Sequence, residues 1–162
     1  MRIFTGKITV ENVPASLKIM NDIADRTDAT IVLVDAAKIA GKKHIENAVM
    51  HAKRSFEEEN AIARTLAMEI LVYISGQHQC SRASKLGLHE GENHVYIIIE
   101  GGNEEKAEAE VKKYIEKTSE PKIDINSLMK QFKISEEELE VVGESRIEDL
   151  VIERVALIDT WK

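Results

Sequence analysis

The stretch from Asn60 to Gly87, NAIARTLAMEILVYISGQHQCSRASKLG, predicts two helices joined by a short polar corner. Apolar residues recur in its first half at three- and four-residue steps, the spacing of one helix face: Ala63, Leu66, Ala67, Ile70, Leu71 and Ile74. We expect Asn60 to cap this helix and Gly76 to end it, since glycine readily adopts the left-handed conformation common at helix C-termini. A second, shorter helix should then run to Gly87.

The corner between these two helices is the first candidate for a functional site. Its polar and small residues are Ser75, Gly76, Gln77, His78, Gln79, Ser81 and Arg82. One helix ends there as another starts, so free backbone N–H groups lie beside amide, imidazole and guanidinium side chains. Such a set of donors suits a polar or anionic ligand. An ordinary turn between two helices explains the same residues, and the pattern alone favours that simpler interpretation.

Elsewhere the sequence predicts short strands and amphipathic helices. β-branched and aromatic side chains predict strands over residues 1–10, 29–34 and 94–100. Helices are expected from Asn12, over residues 44–58, after an Asn103 cap, in two short segments after Pro121 and at the end of the chain. Strands and helices do not alternate strictly, which favours the α+β class. We expect one domain over residues 1–162, with a small mixed or antiparallel central sheet covered by several helices.

Three finer features of the helices are also predicted. Tyr114 continues the apolar row of the helix after Asn103 and should face inward. Ser135 with Glu138, and Ser145 with Glu148, have the spacing of capping boxes at helix starts.

The composition is typical of a folded globule rather than a disordered or membrane-spanning chain. Hydrophobic residues make up 43% of the 162 positions, and there are only two prolines. The single cysteine, Cys80, excludes an internal disulfide. There is no long apolar span, and the first ten residues lack the order of a signal peptide, so we expect a cytoplasmic protein.

The net charge of −7 argues against generic nucleic-acid binding through a positive field. The charges are unevenly distributed, however. Residues 42–85 carry seven basic and five acidic side chains, a net charge of +2, and the rest of the chain carries −9. The positive region includes Lys53, Arg54 and Arg64 and contains the polar corner. An acidic protein with one basic face can still hold a short piece of nucleic acid.

Metal and catalytic motifs are weak in this chain. His44 and His51 share a helix face but lie about 10 Å apart along it, too far to bind one zinc ion together. There is no nucleophile elbow and no glycine-rich phosphate loop. Glu69 could serve as an acid, but pairing with Arg64 or Thr65 on the neighbouring turn explains it more simply. We therefore expect no metal, no cofactor and no enzymatic activity; a small hydrolase or transferase using His78 with Glu69 is the remaining alternative.

The last predicted helix has more apolar surface than one core stripe requires. The stripe consists of Ile147, Leu150, Val151, Val155 and Ile158. Ile152 and Ala156 lie to one side, and Leu157 and Trp161 extend the apolar surface further. This excess suits docking to a partner, although burial against a neighbouring helix explains it equally well.

Three segments of the chain resemble one known family. They are ENAVMHAKRSFEEENAIARTLAMEILVYISGQHQCSRASKLGL over residues 46–88, HVYIIIE over residues 94–100 and VIERVALI over residues 151–158. The part from Ala67 to Gln79 is the most specific of these motifs. Together they resemble the small kinase-binding subunit of the KEOPS complex, the family of the protein that binds the kinase PRPK. His78 departs from the family pattern, in which a basic residue often follows Ser-Gly-Gln.

The resemblance implies a non-catalytic α+β adaptor. Such a protein binds the small atypical kinase/ATPase subunit of KEOPS and recruits tRNA by its 3′ CCA end for threonylcarbamoyl-adenosine modification. The implied RNA contacts are Ser75, Gly76, Gln77, His78, Gln79 and Arg82, supported by Lys53, Arg54 and Arg64. The last helix, with Leu150, Ile152, Val155 and Ala156, is the expected kinase side. The alternative is a pure protein-interaction regulator of the kinase that binds no RNA.

Overall fold

Four strands and eight α-helices make up the computed structural model, which describes residues 1–162. In chain order they are β1 (Arg2–Val10), α1 (Val13–Thr27), β2 (Thr30–Asp35), α2 (Lys42–Glu57), α3 (Leu66–Ser75), α4 (Cys80–Ala83), β3 (Gly91–Glu100), α5 (Glu104–Val111), β4 (Glu116–Lys117), α6 (Ile125–Phe132), α7 (Glu136–Val142) and α8 (Ile147–Ala156). Short 3-10 turns occur at Ala36–Lys38, Ser84–Leu86, Glu144–Arg146 and Leu157–Trp161. The α+β class is confirmed. No helix is long and apolar enough to cross a membrane.

The chain forms two compact units, each built from two segments. Residues 1–36 and 87–121 form the sheet unit, and residues 37–86 and 122–162 form the helical unit. The assignment of the whole chain to one domain stays a prediction.

The sheet unit contains a four-stranded antiparallel sheet with strand order β2-β3-β1-β4. The central β3 explains why the segment HVYIIIE predicts a strand so strongly, because side chains on both of its faces are buried, Tyr96 and Ile98 as well as Ile97 and Ile99. Ile97 and Ile99 belong to a core with residues of α1 and α5.

Helix α5 begins as predicted but ends earlier than its apolar row suggests. Asn103 caps it by accepting a hydrogen bond from the Lys106 N–H at 3.1 Å. The helix ends at Val111, so Tyr114 no longer follows its face and is 49% exposed. The expected inward position of Tyr114 is therefore wrong.

The helical unit packs α2, α3, α6 and α8 around a largely aliphatic core. Helix α3 is buried on most sides, with Ile70, Val72, Tyr73 and Ile74 fully inaccessible. The predicted stripe of the last helix is confirmed, because Ile147, Leu150, Val151, Val155 and Ile158 are all buried.

The start of α3 differs from the prediction. The helix begins at Leu66, and Thr65 caps it, because the Thr65 hydroxyl accepts a hydrogen bond from the Met68 N–H at 3.2 Å. The expected cap at Asn60 is therefore wrong. The chain before it is a loop held by Glu69, whose carboxylate accepts hydrogen bonds from the backbone N–H groups of Ile62 and Ala63 at 3.0 and 2.9 Å. A loop bonded to the buried Glu69 carboxylate thus stands where the first turn of the helix was predicted.

One of the two predicted capping boxes is present. Ser135 and Glu138 form the box at the start of α7. The box of Ser145 with Glu148 is wrong, because Glu148 accepts a hydrogen bond from the His44 N–H at 3.3 Å and so caps α2 instead.

Candidate nucleic-acid interface

The polar corner begins where Gly76 ends α3 in a left-handed conformation, with φ of 67°. A Cβ atom added to Gly76 would lie 3.0 Å from the ring of Phe132. Both the backbone angle and the close neighbour therefore require glycine, which confirms the predicted end of the helix.

The last carbonyl groups of α3 are fixed from beneath the corner by two side chains. The Ile74 carbonyl accepts a hydrogen bond from His44 Nε2 at 2.9 Å, and the Ser75 carbonyl accepts one from Gln131 Nε2 at 2.9 Å. Because a helix leaves its final carbonyls without partners in the helix, these two bonds fix the corner to α2 and α6.

His44 is a neutral side chain in this arrangement. Its Nδ1 accepts a hydrogen bond from the Ala40 N–H at 3.0 Å, so Nε2 carries the proton that is donated to Ile74. Burial lowers the pKa of His44 to about 4, against the opposing effect of the bond to Ile74. His44 therefore supports the corner with both of its ring nitrogens. No group of three or more His, Cys, Asp or Glu side chains in the chain could hold a metal ion.

The predicted RNA contacts in the corner differ in their accessibility. Ser75 is buried; its hydroxyl donates to the Val72 carbonyl at 2.8 Å and accepts from the Gln77 N–H at 3.0 Å. The Ser75 side chain thus shapes the turn from inside, and the assignment of Ser75 as an RNA contact stays a prediction. His78, Gln79 and Arg82 are exposed.

The predicted short helix between the corner and Gly87 is present as two consecutive helical segments. It consists of α4, which starts directly after Gln79, and the 3-10 turn Ser84–Leu86. Ala83 and Leu86 are its buried residues, so the side that carries Arg82 faces solvent.

His78 stacks on Trp161. The centroids of the two rings lie 5.6 Å apart, and the ring planes differ by 20°. Trp161 is 65% exposed, so much of the indole remains open to solvent. The sequence pattern places Trp161 only on the apolar surface of the last helix, and no spacing rule connects residues so far apart in the chain.

The 3-10 turn Leu157–Trp161 is held by Asp159. The carboxylate accepts a hydrogen bond from the Tyr73 hydroxyl at 2.5 Å, and it lies 2.8 Å from His51 Nδ1 and 3.2 Å from Arg54 Nη2. Partial burial would raise the pKa of Asp159, but the bonds from Tyr73 and His51 outweigh it and lower this pKa below its usual value. Asp159 is therefore an ionised anchor.

Lys162 supplies a second anchor for the same segment. Its ammonium group donates to the Ser55 hydroxyl and lies 3.5 Å from Glu69 Oε2. Glu69 thus connects Lys162 with the loop that contains Arg64. Its carboxylate bonds the backbone N–H groups of Ile62 and Ala63, so the predicted side-chain pairing with Arg64 or Thr65 is wrong. Glu69 is fully buried and bonded to these groups, and it shares no hydrogen bond with the exposed His78.

The basic residues outside the corner are all exposed but serve different roles. Arg54 pairs with Asp159 in the 3-10 turn Leu157–Trp161. Trp161 at the end of the same turn contacts His78. Lys53 is exposed on α2, and Arg64 is exposed on the loop before α3.

The residues expected to contact a kinase divide into two groups. Leu150 and Val155 are 8% and 0% exposed, so their side chains belong to the core, and their assignment as kinase contacts stays a prediction. Ile152 is half-buried and Ala156 is exposed, which leaves these two on the surface of α8.

A comparison with family models supplies the relationship that the fold alone does not give. The model described as kinase binding protein CGI-121 matches residues 10–159. The chain belongs to this family. The match covers the corner, the basic residues and α8, and it ends two residues before Trp161. A sequence comparison with curated proteins found no match.

Proposed function

We propose that this protein is a non-catalytic subunit of a KEOPS complex in the cytoplasm. It binds the small atypical kinase/ATPase subunit and recruits tRNA by the 3′ CCA end for threonylcarbamoyl-adenosine modification. The observation that carries the proposal is the family match, which spans nearly the whole chain and describes a kinase binding protein. The corner motif from Ala67 to Gln79, which resembles the KEOPS subunit, supports the more specific assignment.

The kinase side of the proposal rests on α8. Its inward stripe is buried in the helical unit, yet Ile152 is half-buried and Ala156 exposed beside that stripe. Docking one helix face into a partner's groove is a common way to use such apolar surface. Ile152 and Ala156 are therefore the proposed kinase contacts.

The RNA side rests on the accessibility and rigidity of the corner. His78, Gln79 and Arg82 are exposed, while bonds from His44 and Gln131 fix the backbone just before them. Proteins read single-stranded RNA ends by hydrogen bonds to splayed bases and by contacts to phosphates, for which amide and guanidinium groups are suited. A preformed corner also reduces the ordering cost of binding.

Two single substitutions test the RNA side directly. Arg82→Ala and Gln79→Ala should each weaken tRNA binding by about 1 to 3 kcal/mol, the usual worth of a good polar contact to a base or phosphate. Both side chains are exposed, so the melting temperature should change little. Binding is measured by fluorescence anisotropy with labelled tRNA.

Arg146→Ala is the matched control, because it removes one positive charge from an exposed turn where Arg146 pairs with Asp149. It should leave tRNA affinity unchanged. If Arg82→Ala and Arg146→Ala weaken binding equally, net charge and not the corner governs the affinity. If Arg82→Ala and Gln79→Ala both melt far below the parent protein, the corner residues serve the fold.

The alternative function is a pure protein-interaction regulator of the kinase subunit, with no RNA ligand. The net charge of −7 is the observation that favours it. In that case the kinase co-purifies with the protein, and tRNA binds neither the parent protein nor its variants.

A further inference from the structure

We propose that the indole of Trp161, stacked on His78, is the surface on which an unpaired base of the RNA 3′ end stacks. The inference rests on the proposed function and adds to it a residue outside the part of the chain that matches the family. The observation that carries it is a stacked and largely exposed pair of aromatic rings directly beside Gln79.

The geometry leaves one face of the indole available. The planes of the two rings lie within 20° of each other, so His78 covers one face of Trp161. Because Trp161 is nevertheless 65% exposed, the open area belongs to its opposite face and its edge. A base placed there extends a stack that already has two members.

The rings are also held in place before any ligand arrives. Asp159, two residues before Trp161, accepts a hydrogen bond from Tyr73 and pairs with Arg54 and His51. Lys162, directly after Trp161, donates a hydrogen bond to Ser55. His78 follows the fixed turn at Gly76. A platform that is anchored on both sides loses little conformational entropy when a base binds.

A nucleobase fits this site better than an aliphatic side chain. The platform is flat, and the exposed amide of Gln79 and guanidinium of Arg82 follow His78 closely in the chain. Every base has a π-face that stacks on an aromatic ring, and its edge and phosphate accept hydrogen bonds from such donors. Stacking also explains how an acidic protein could bind RNA with few ionic contacts.

The chain contains a single tryptophan, so its tryptophan fluorescence, excited where tyrosine does not absorb, reports on this ring alone. Titration of the protein with a short single-stranded RNA ending in CCA should change the Trp161 fluorescence. The midpoint should agree with the Kd measured by anisotropy for the same RNA. His78→Ala should change the fluorescence spectrum even without RNA, because it removes the stacked neighbour.

Substitutions then separate stacking from other roles of this side chain. Trp161→Ala should weaken tRNA binding about 10- to 100-fold, Trp161→Phe should restore most of the loss, and Trp161→Leu should not. Leu157→Ala is the control, since Leu157 is an exposed apolar residue of the same segment and 46% accessible. It should bind tRNA as the parent does.

Three results would overturn the inference. If the parent protein binds tRNA but Trp161→Ala binds it equally well, or the fluorescence does not change at saturation, stacking is refuted while the proposed function stands. If Trp161→Ala keeps tRNA affinity but loses the kinase subunit, the indole is a protein contact. If the parent protein binds no tRNA at all, the proposed RNA function fails first, and this inference fails with it.

Discussion

The buried histidine beneath the corner should make the protein less stable in mild acid. His44 is fully buried, and burial lowers its pKa to about 4 from the ordinary value of 6.5. Because the folded pKa is the lower one, the unfolded chain takes up the proton first as the pH falls. The contribution of His44 to stability is therefore complete above about pH 6.5 and is lost progressively towards pH 4.

The size of the effect follows from these two pKa values. At pH 5 the unfolded histidine is almost wholly protonated while the folded one is mostly neutral, and the difference lowers the free energy of unfolding by about 2 kcal/mol relative to pH 7. The limit below pH 4 is about 3 kcal/mol. Carboxylates such as Asp159 and Glu138, whose pKa values are lowered by their partners, add losses mainly at still lower pH.

A variant that cannot titrate isolates the histidine. His44→Gln keeps an amide donor for the Ile74 carbonyl but has no ionisable group. We expect it to be less stable than the parent at pH 7, yet to lose about 2 kcal/mol less between pH 7 and pH 5. Urea unfolding followed by circular dichroism at pH 7, 6 and 5 measures both curves. Equal pH dependence of the two proteins, or an NMR titration of His44 with a midpoint near 6.5, would refute the reasoning.

Two further substitutions test the kinase surface and the corner backbone. Ile152→Asp should abolish co-purification with the kinase subunit while the variant stays folded and still binds tRNA; Val141→Asp, at an apolar position on α7 that is 86% exposed, should retain the kinase. Unfolding of the first variant would place Ile152 in the core, and loss of tRNA would mean that the two surfaces are not separate. Gly76→Ala should cost about 1 to 2 kcal/mol for its left-handed backbone, with an added cost from the ring of Phe132. A melting temperature of Gly76→Ala equal to that of the parent would contradict the requirement for glycine at this position.

Features that depend on local patterns were predictable from the sequence. The strand β3 could be predicted because β-branched and aromatic residues are consecutive in it. The end of α3 could be predicted because few residues other than glycine tolerate the conformation at Gly76. The cap at Asn103 and the box of Ser135 with Glu138 follow from spacings of three residues, which one turn of helix imposes.

Features that depend on distant parts of the chain were not predictable in this way. Glu148 has the spacing of a local cap with Ser145. Tertiary packing brings the start of α2 close to Glu148, which therefore accepts a hydrogen bond from the His44 N–H and forms no capping box with Ser145. Glu69 likewise bonds the loop before its own helix rather than the next turn. The stacking of His78 on Trp161 joins two elements whose approach depends on the packing of the whole helical unit.

We propose that this acidic protein holds tRNA by its single-stranded end. The most direct test compares its affinity for intact tRNA with that for tRNA lacking the three terminal nucleotides, over a range of salt concentrations. Removing the CCA end should abolish most of the affinity, because a net charge of −7 provides no field to hold the duplex body. The salt dependence for intact tRNA should be shallow, since few phosphates are neutralised. Equal binding of the trimmed tRNA, or a steep salt dependence typical of duplex binders, would contradict the claim.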